Sequence, residues 1–473
     1  MLFNSWSFIL FFLGVLLHYY IVPSWRSRKV VLLLASYIFY AAWNPPFVVL
    51  LWISTVVDWF VARGIYAARS RGRRRFLLAV SLAVNLGLLG YFKYGAFLLD
   101  NFLWLVQSFG WDLSLAAPSI ILPVGISFYT FQTLSYTLDV YRRHGVPSDS
   151  FLDYALYVTF FPQLVAGPIV RAGDFLPQCR EPKPFSGQAL GWGLSLMLLG
   201  LFEKIAIADG LLAPVAEAVY DGSTPPDFVS AWCGTFAFAG QIFLDFAGYS
   251  LCAIGAALCL GFTVRDNFRF PYAALGFSDF WRRWHTSLSS WLRDYLYIPL
   301  GGSRRGPLRT LASLAVTMLL GGLWHGASWT FVIWGGLHGV YLVLERGVRR
   351  LSPWRDGGSA IVQAPVALLT FLLVCVAWVF FRAHSFAKAF DVAAALFGSV
   401  SEDAGRVLKP EAAVISIGVT VALLSIHWLM REATITQLAK RVPWWVRSLA
   451  LAAMLIGIAG LSGEDRAFIY FQF

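Results

Sequence analysis

TLASLAVTMLLGGLWHGASWTFVIWGGLHGVYLVLER, residues 310–346, contains two apolar runs, 310–325 and 327–346, that meet at His325-Gly326. A bilayer core about 30 Å thick takes roughly 20 helical residues to cross. Each run is therefore read as a membrane helix, and the pair as two consecutive crossings. Similar runs lie at 4–22, 30–43, 46–62, 76–92, 118–140, 152–170, 189–208, 229–262 (one long span or two), 361–381, 412–430 and 444–461. The fold class is thus all-α and polytopic, with roughly eleven to thirteen transmembrane or re-entrant helices. Helices are preferred over strands because each span must satisfy its own backbone hydrogen bonds in lipid.

Composition agrees. Of 473 residues, 58% are hydrophobic and 13% charged, and mean hydropathy is +0.65. Soluble chains carry about 25% charged residues, so most of this surface does not face water. The net charge of +11 does not point to nucleic acid. Its basic residues cluster in short connections, at Arg26, Arg28 and Lys29 and again at Arg63, Arg69, Arg71 and Arg73 to Arg75. That is the positive-inside pattern, and it puts the N-terminus outside. The first run has no basic n-region and no small-residue cleavage site before Val22-Pro23, so it is expected to remain as a span. The five cysteines include no CxxC pair. Packing is their expected role, and no metal is expected.

The chain reads as a single membrane domain over 1–473, with a histidine-bearing core at about 241–346. No internal repeat stands out, which disfavours transporters built from repeated halves. The segment 264–309 is too polar to span. Within it Phe277, Trp281, Trp284, Leu288, Trp291, Tyr295 and Ile298 recur at helical spacing. A continuous amphipathic helix over 277–298 is expected, lying at the interface or dipping into the protein, with Ser278 as N-cap and Asp279 in the first turn. A basic, Gly-rich loop follows at 300–306. An interfacial helix that only orders the fold is the alternative.

Acyl transfer to a hydroxyl needs a base, donors for the developing oxyanion, and a means of holding both reactants together. Histidine is the usual base near neutral pH. Of seven histidines, His18, His144, His384 and His427 lie near span ends or in a basic loop, where packing or solvation explains them. His325 ends an apolar run among Gly321, Gly322 and Gly326, and an ionisable residue at membrane depth is a functional candidate by default. His285 sits at the margin of the apolar face of 277–298. His338 is weaker: thirteen positions after His325, it faces away by about 220° on a continuous helix, unless Gly335-Gly336 breaks that helix. Asp58, Asp139 and Asp245 are expected to pair with Arg or Lys between helices. There is no GxSxG elbow, Walker loop or HExxH.

DFWRRWHTSLSSWLRDYLYIPLGGSRRG (279–306) and LLGGLWHGASWTFVIWGGLHG (319–339) together resemble the membrane-bound O-acyltransferase family, in its bacterial polysaccharide branch. ASYIFYAAW (35–43), GYFKY (90–94), LPVGISFYTFQTLSYTLDVYR (122–142), FFPQLVAGPIVR (160–171), QIFLDFAGYS (241–250), VAWVFFRA (376–383) and FIYFQF (468–473) also fit, while 395–415 is less alike.

The resemblance implies an O-acetyltransferase whose helices enclose a central funnel or tunnel, with His325 catalytic and His285 as the second histidine. It implies a cytoplasmic thioester donor such as acetyl-CoA, used as a substrate rather than held as a cofactor. It also implies handover at the outer face of the bacterial inner membrane to an exopolysaccharide such as alginate, often through a periplasmic SGNH-type acetyltransferase beside the polysaccharide synthesis machinery. On this reading His325 is the general base, and His285 orients it or polarises the thioester carbonyl. Trp324 and Trp329 wall the tunnel. Arg282, Arg283, Arg304 and Arg305 attract the donor's phosphates, positive-inside anchoring being their alternative. Cellulose, peptidoglycan or teichoic-acid D-alanylation are alternative targets, and a transporter is the rival class.

Overall fold

The computed structural model describes residues 1–113, 115, 120–351, 360–399, 404–461 and 466–469. Part of the 395–415 stretch (400–403) and the last four residues of FIYFQF lie outside the described residues. Among the described residues helices build the whole fold, and the one β-bridge, Pro226 to Gly405, is isolated. Seven helices are long and apolar enough to cross a membrane. Their outer faces carry exposed Leu308, Val414, Leu429 and Ile456, large apolar side chains that lipid accommodates and water would not. The protein is a polytopic, all-α membrane protein.

The chain forms two compact units, 1–194 with 253–265 and 195–252 with 266–473. The first begins with α1 (Trp6–Ile21), capped by Ser5, α2 (Trp25–Ala41), α3 (Val48–Ala67) and α4 (Arg71–Ser108), capped by Ser70. α4 overruns the expected 76–92 because nothing after Tyr91 breaks a helix; its 38 residues extend past Lys93. α5 (Ile126–Tyr141) starts later than the expected 118–140, at Gly125 with φ +76°. A Cβ there would sit 2.8 Å from the Leu164 carbonyl, so only glycine fits. The expected span 152–170 is broken into α6 (Phe151–Thr159) and a short turn Phe161–Leu164. Pro162 has no N–H for the Val158 carbonyl, and its ring clashes with that carbonyl in a continuous helix. The irregular backbone is buried in protein at Phe160, Phe161 and Leu164, where it is tolerated at membrane depth.

Both basic clusters of this unit grip the same connections. Lys29 pairs with Asp153, Arg28 donates to the Lys183 carbonyl, Arg63 to Ser148 and Arg74 to Tyr141. They therefore share a side, as positive-inside charge requires. Asp58 departs from expectation: its carboxylate accepts from Ser81, Asn85 and Thr137 rather than from Lys or Arg. Hydroxyl and amide donors on neighbouring helices satisfy it without importing a second charge.

The second unit takes α7 (Gly187–Leu201) from Ser195 onward, where it continues as a π-helix over Phe202–Leu212, and most of α8 (Phe228–Cys259), one unbroken helix of 32 residues. Between them Gly200 and Gly248 allow close approach, each within 2.5 Å of the other's carbonyl oxygen if given a Cβ. Lys204, from the π-helical stretch, lies 2.9 Å from Asp209 and 2.5 Å from Asp245, all three buried. The expected pairing of Asp245 with a basic residue is thus present. The short α9 (Phe277–Arg283) and α10 (Thr286–Leu292) follow, then α11 (Pro307–His325), α12 (Trp329–Leu351), α13 (Ala360–Arg382), α14 (Pro410–Leu429) and α15 (Trp444–Leu461). All five cysteines are buried thiols.

Candidate functional site

The expected continuous helix over 277–298 does not form. It is cut at Trp284, which is extended, and at His285, which is left-handed (φ 43°, ψ 55°). The apolar period is real over its middle, since Trp284, Leu288, Trp291 and Tyr295 are all buried, while Ile298 at its end is exposed. Tertiary hydrogen bonds override it: Arg269 N–H donates to the Arg283 carbonyl and Thr286 N–H to the Asn267 carbonyl, both at 2.9 Å. These zip loop 267–269 to the break. A left-handed non-glycine residue costs about 1–2 kcal/mol, and such strain concentrates at functional positions. The N-cap is Gly276 rather than Ser278, whose N–H and hydroxyl both donate to Glu345.

His285 is fully buried. Its Nδ1 lies 3.1 Å from Asn267 Oδ1, and Ser287 donates to the same oxygen through its N–H and its hydroxyl. An amide oxygen only accepts, so Nδ1 carries the proton and Nε2 is the basic nitrogen. The segment carrying His285 does not span, and burial pushes the imidazole down to about 3. The ring is therefore neutral at physiological pH. Phe246 packs edge-on against it at 4.7 Å.

His325 ends α11 and is 3% exposed. The chain turns at 326–328 and returns as α12. Two glycines let the hairpin close: a Cβ on Gly322 would lie 2.3 Å from the Phe331 carbonyl, and one on Gly335 2.2 Å from that of Met318. The His325 ring lies 5.0 Å from Trp324, 4.9 Å from Trp334 and 5.4 Å from Phe381, centroid to centroid. Trp324 is also 6.0 Å from His285. The two candidate histidines thus flank one indole inside a buried aromatic cluster.

His338 corrects the sequence reading. The break falls at 326–328, not at Gly335-Gly336, so rotation counted along one continuous helix does not apply. The ring is fully buried, 4.8 Å from Trp334 and 5.1 Å from Trp281. It belongs to the same cluster as His325. His427, expected to pack, does so while its Nδ1 accepts from the Tyr272 N–H.

The remaining candidates divide. Trp324 is buried, whereas Trp329, at the first position of α12, is 51% exposed. Arg283 is not available to phosphates. It is held by Asp279 at 2.9 Å and by the Arg431 carbonyl. Arg282, Arg304 and Arg305 are exposed and accessible to a polyanion, Arg282 with the Asp279 carboxylate 3.6 Å away. Asn267 and Trp334 escaped the sequence reading, and His338 ranked below His325 and His285. The W-x-x-x-H spacing of Trp334 and His338, one helical turn, was the signal linking the latter two.

The family model described as MBOAT, membrane-bound O-acyltransferase family, matches residues 143–386. The chain is 41% identical over 399 residues to the probable alginate O-acetylase AlgI of Azotobacter vinelandii, covering 84% of this chain and 78% of that one. It is 36% identical to the probable alginate O-acetylase AlgI of Pseudomonas putida over the whole of both chains. A peptidoglycan O-acetyltransferase of Helicobacter pylori is 37% identical, covering 84% of this chain and 80% of that relative.

Proposed function

This chain belongs to the membrane-bound O-acyltransferase family, and from that premise we propose that it takes acetyl from acetyl-CoA at the cytoplasmic side and passes it outward for O-acetylation of an exopolysaccharide such as alginate. It is a multi-pass membrane acyltransferase. The observation that supports the site is the burial of His325 and His285 on either side of Trp324.

In the proposed step the acceptor hydroxyl oxygen attacks the thioester carbonyl carbon while His325 takes its proton. The tetrahedral intermediate expels the thiolate, which recovers that proton from the imidazolium. The products are an acetyl ester and free CoA, with no net proton. His285, held by Asn267, orients the reacting pair. Trp324 keeps water out. Arg282, Arg304 and Arg305 receive the donor's phosphates. The immediate acceptor is a periplasmic SGNH-type acetyltransferase working beside the polysaccharide synthesis machinery, and the site of action is the bacterial inner membrane. The Helicobacter pylori relative supports peptidoglycan as the second choice of polymer.

The test is transfer of labelled acetyl from acetyl-CoA to a purified SGNH-type acetyltransferase, and through it to candidate saccharides, by the protein reconstituted in nanodiscs. His325→Ala should lower turnover by about 10²–10⁴-fold, the usual worth of a general base, with thermal midpoint unchanged. Wild-type turnover in that variant removes His325 from the mechanism.

A further inference from the structure

One group in the aromatic cluster is used by nothing described above. His338 is fully buried, and among the described residues neither of its ring nitrogens has a hydrogen-bond partner. The indole nitrogen of Trp334, also fully buried, shares that condition with those of Trp281, Trp284 and Trp378, and Trp334 differs from these three in packing against His325. Buried polar groups are almost always paired, because an unpaired one forfeits its hydration and gains nothing in return. A phenylalanine at either position would keep an aromatic ring there without that penalty. Two such groups in contact point to a partner that arrives with the substrate.

Their placement says what that partner is. Trp334 and His338 are one turn apart on α12 and project from the same face. Their rings are 4.8 Å apart, and Trp334 is itself 4.9 Å from His325. An indole offers only a donor, and a neutral imidazole offers one N–H. Two N–H donors beside a candidate base, in a site walled by Phe280, Trp281 and Trp378, match an atom that gains negative charge during reaction. In acyl transfer that atom is the carbonyl oxygen. His285 is less suited, because its N–H is already given to Asn267.

We infer that Trp334 and His338 form the oxyanion hole, donating through the indole N–H and one imidazole N–H to the thioester carbonyl oxygen. The inference rests on the acyl-transfer reading above. As the acceptor oxygen bonds to the carbonyl carbon, the carbonyl π pair moves onto oxygen and is held by these two donors. It returns when the carbon–sulfur bond breaks.

The experiment compares wild type, His338→Phe and Trp334→Phe in nanodiscs, measuring kcat, KM for acetyl-CoA and thermal midpoint. Each variant keeps an aromatic ring and removes the donor. Each should lower kcat by about 10²–10³-fold, as loss of one oxyanion donor does. KM should not change. The thermal midpoint of His338→Phe should stay close to wild type, because a buried unpaired polar group has been removed, while Trp334→Phe should lower it by the few degrees of a partly emptied site. Wild-type kcat in both variants overturns the inference. So does a rise in KM with kcat intact, which marks donor binding, or a lost kcat accompanied by a lower midpoint in His338→Phe, which marks a structural role. If wild-type protein does not turn over acetyl-CoA, the acyl-transfer reading fails and takes this one with it.

Discussion

Asn267 Oδ1 lies 3.1 Å from His285 Nδ1 and so sets which nitrogen of that buried imidazole is basic. The contact crosses from a loop to the left-handed residue between two short helices, and the same oxygen receives two further hydrogen bonds from Ser287. Asn267→Leu should leave the ring free to change tautomer. One lost hydrogen bond of about 1–1.5 kcal/mol corresponds to roughly tenfold in rate. Asn267→Asp, which still accepts at Nδ1, should retain more activity than Asn267→Leu. Equal rates in the two variants would show that the contact does not govern His285.

The α11–α12 hairpin places His325, and its closure depends on missing side chains. Gly335→Ala puts a methyl group 2.2 Å from the Met318 carbonyl, whereas at Gly336 the nearest atom is 3.5 Å away, on the flexible Leu319 side chain. Gly335→Ala should therefore abolish activity and lower the thermal midpoint by several degrees, overpacking costing about 1–3 kcal/mol. Gly336→Ala should be close to wild type in both. A tolerated Gly335→Ala would contradict the close helix contact.

Lys204 pairs with two buried carboxylates, Asp209 and Asp245. Lys204→Met removes that cation from both. Removing one partner of a buried pair costs on the order of 3–5 kcal/mol, so a folded fraction that collapses in mild detergent is expected. Adding Asp245→Asn should recover part of the loss, because one stranded charge is gone. Fluorescence-detected size exclusion across a temperature ramp reads both. No difference between Lys204→Met and wild type would mean that the pairs contribute nothing to stability.

The arginines should separate by burial. Arg283→Gln breaks the contacts to Asp279 and to the Arg431 carbonyl and should lower thermal stability. Arg304→Glu with Arg305→Glu, both on the exposed turn, should leave stability alone and raise KM for acetyl-CoA roughly tenfold, an effect that salt diminishes. An unchanged KM at low salt would assign that turn to membrane anchoring alone.

The sequence by itself determined that the chain lives in a membrane, because the length and polarity of a helical run settle whether it can cross lipid without help from neighbours. It also singled out His325 and His285, since an ionisable side chain amid apolar residues is costly wherever the chain goes. Tertiary structure alone decided the rest. The period over 277–298 predicted one helix, but hydrogen bonds from loop 267–269 cut it at His285. Rotation along a continuous helix turned His338 away, but the turn at 326–328 folds α12 back so that Trp334, one turn before His338, meets His325. Arg282 and Arg283 are neighbours with the same charge, yet only the second meets Asp279 at close range from a buried position. The first two outcomes depend on partners 14 or more residues away or on a break in the chain, and the burial of Arg283 goes with its bond to the distant Arg431 carbonyl; periodicity within a short window carries none of these.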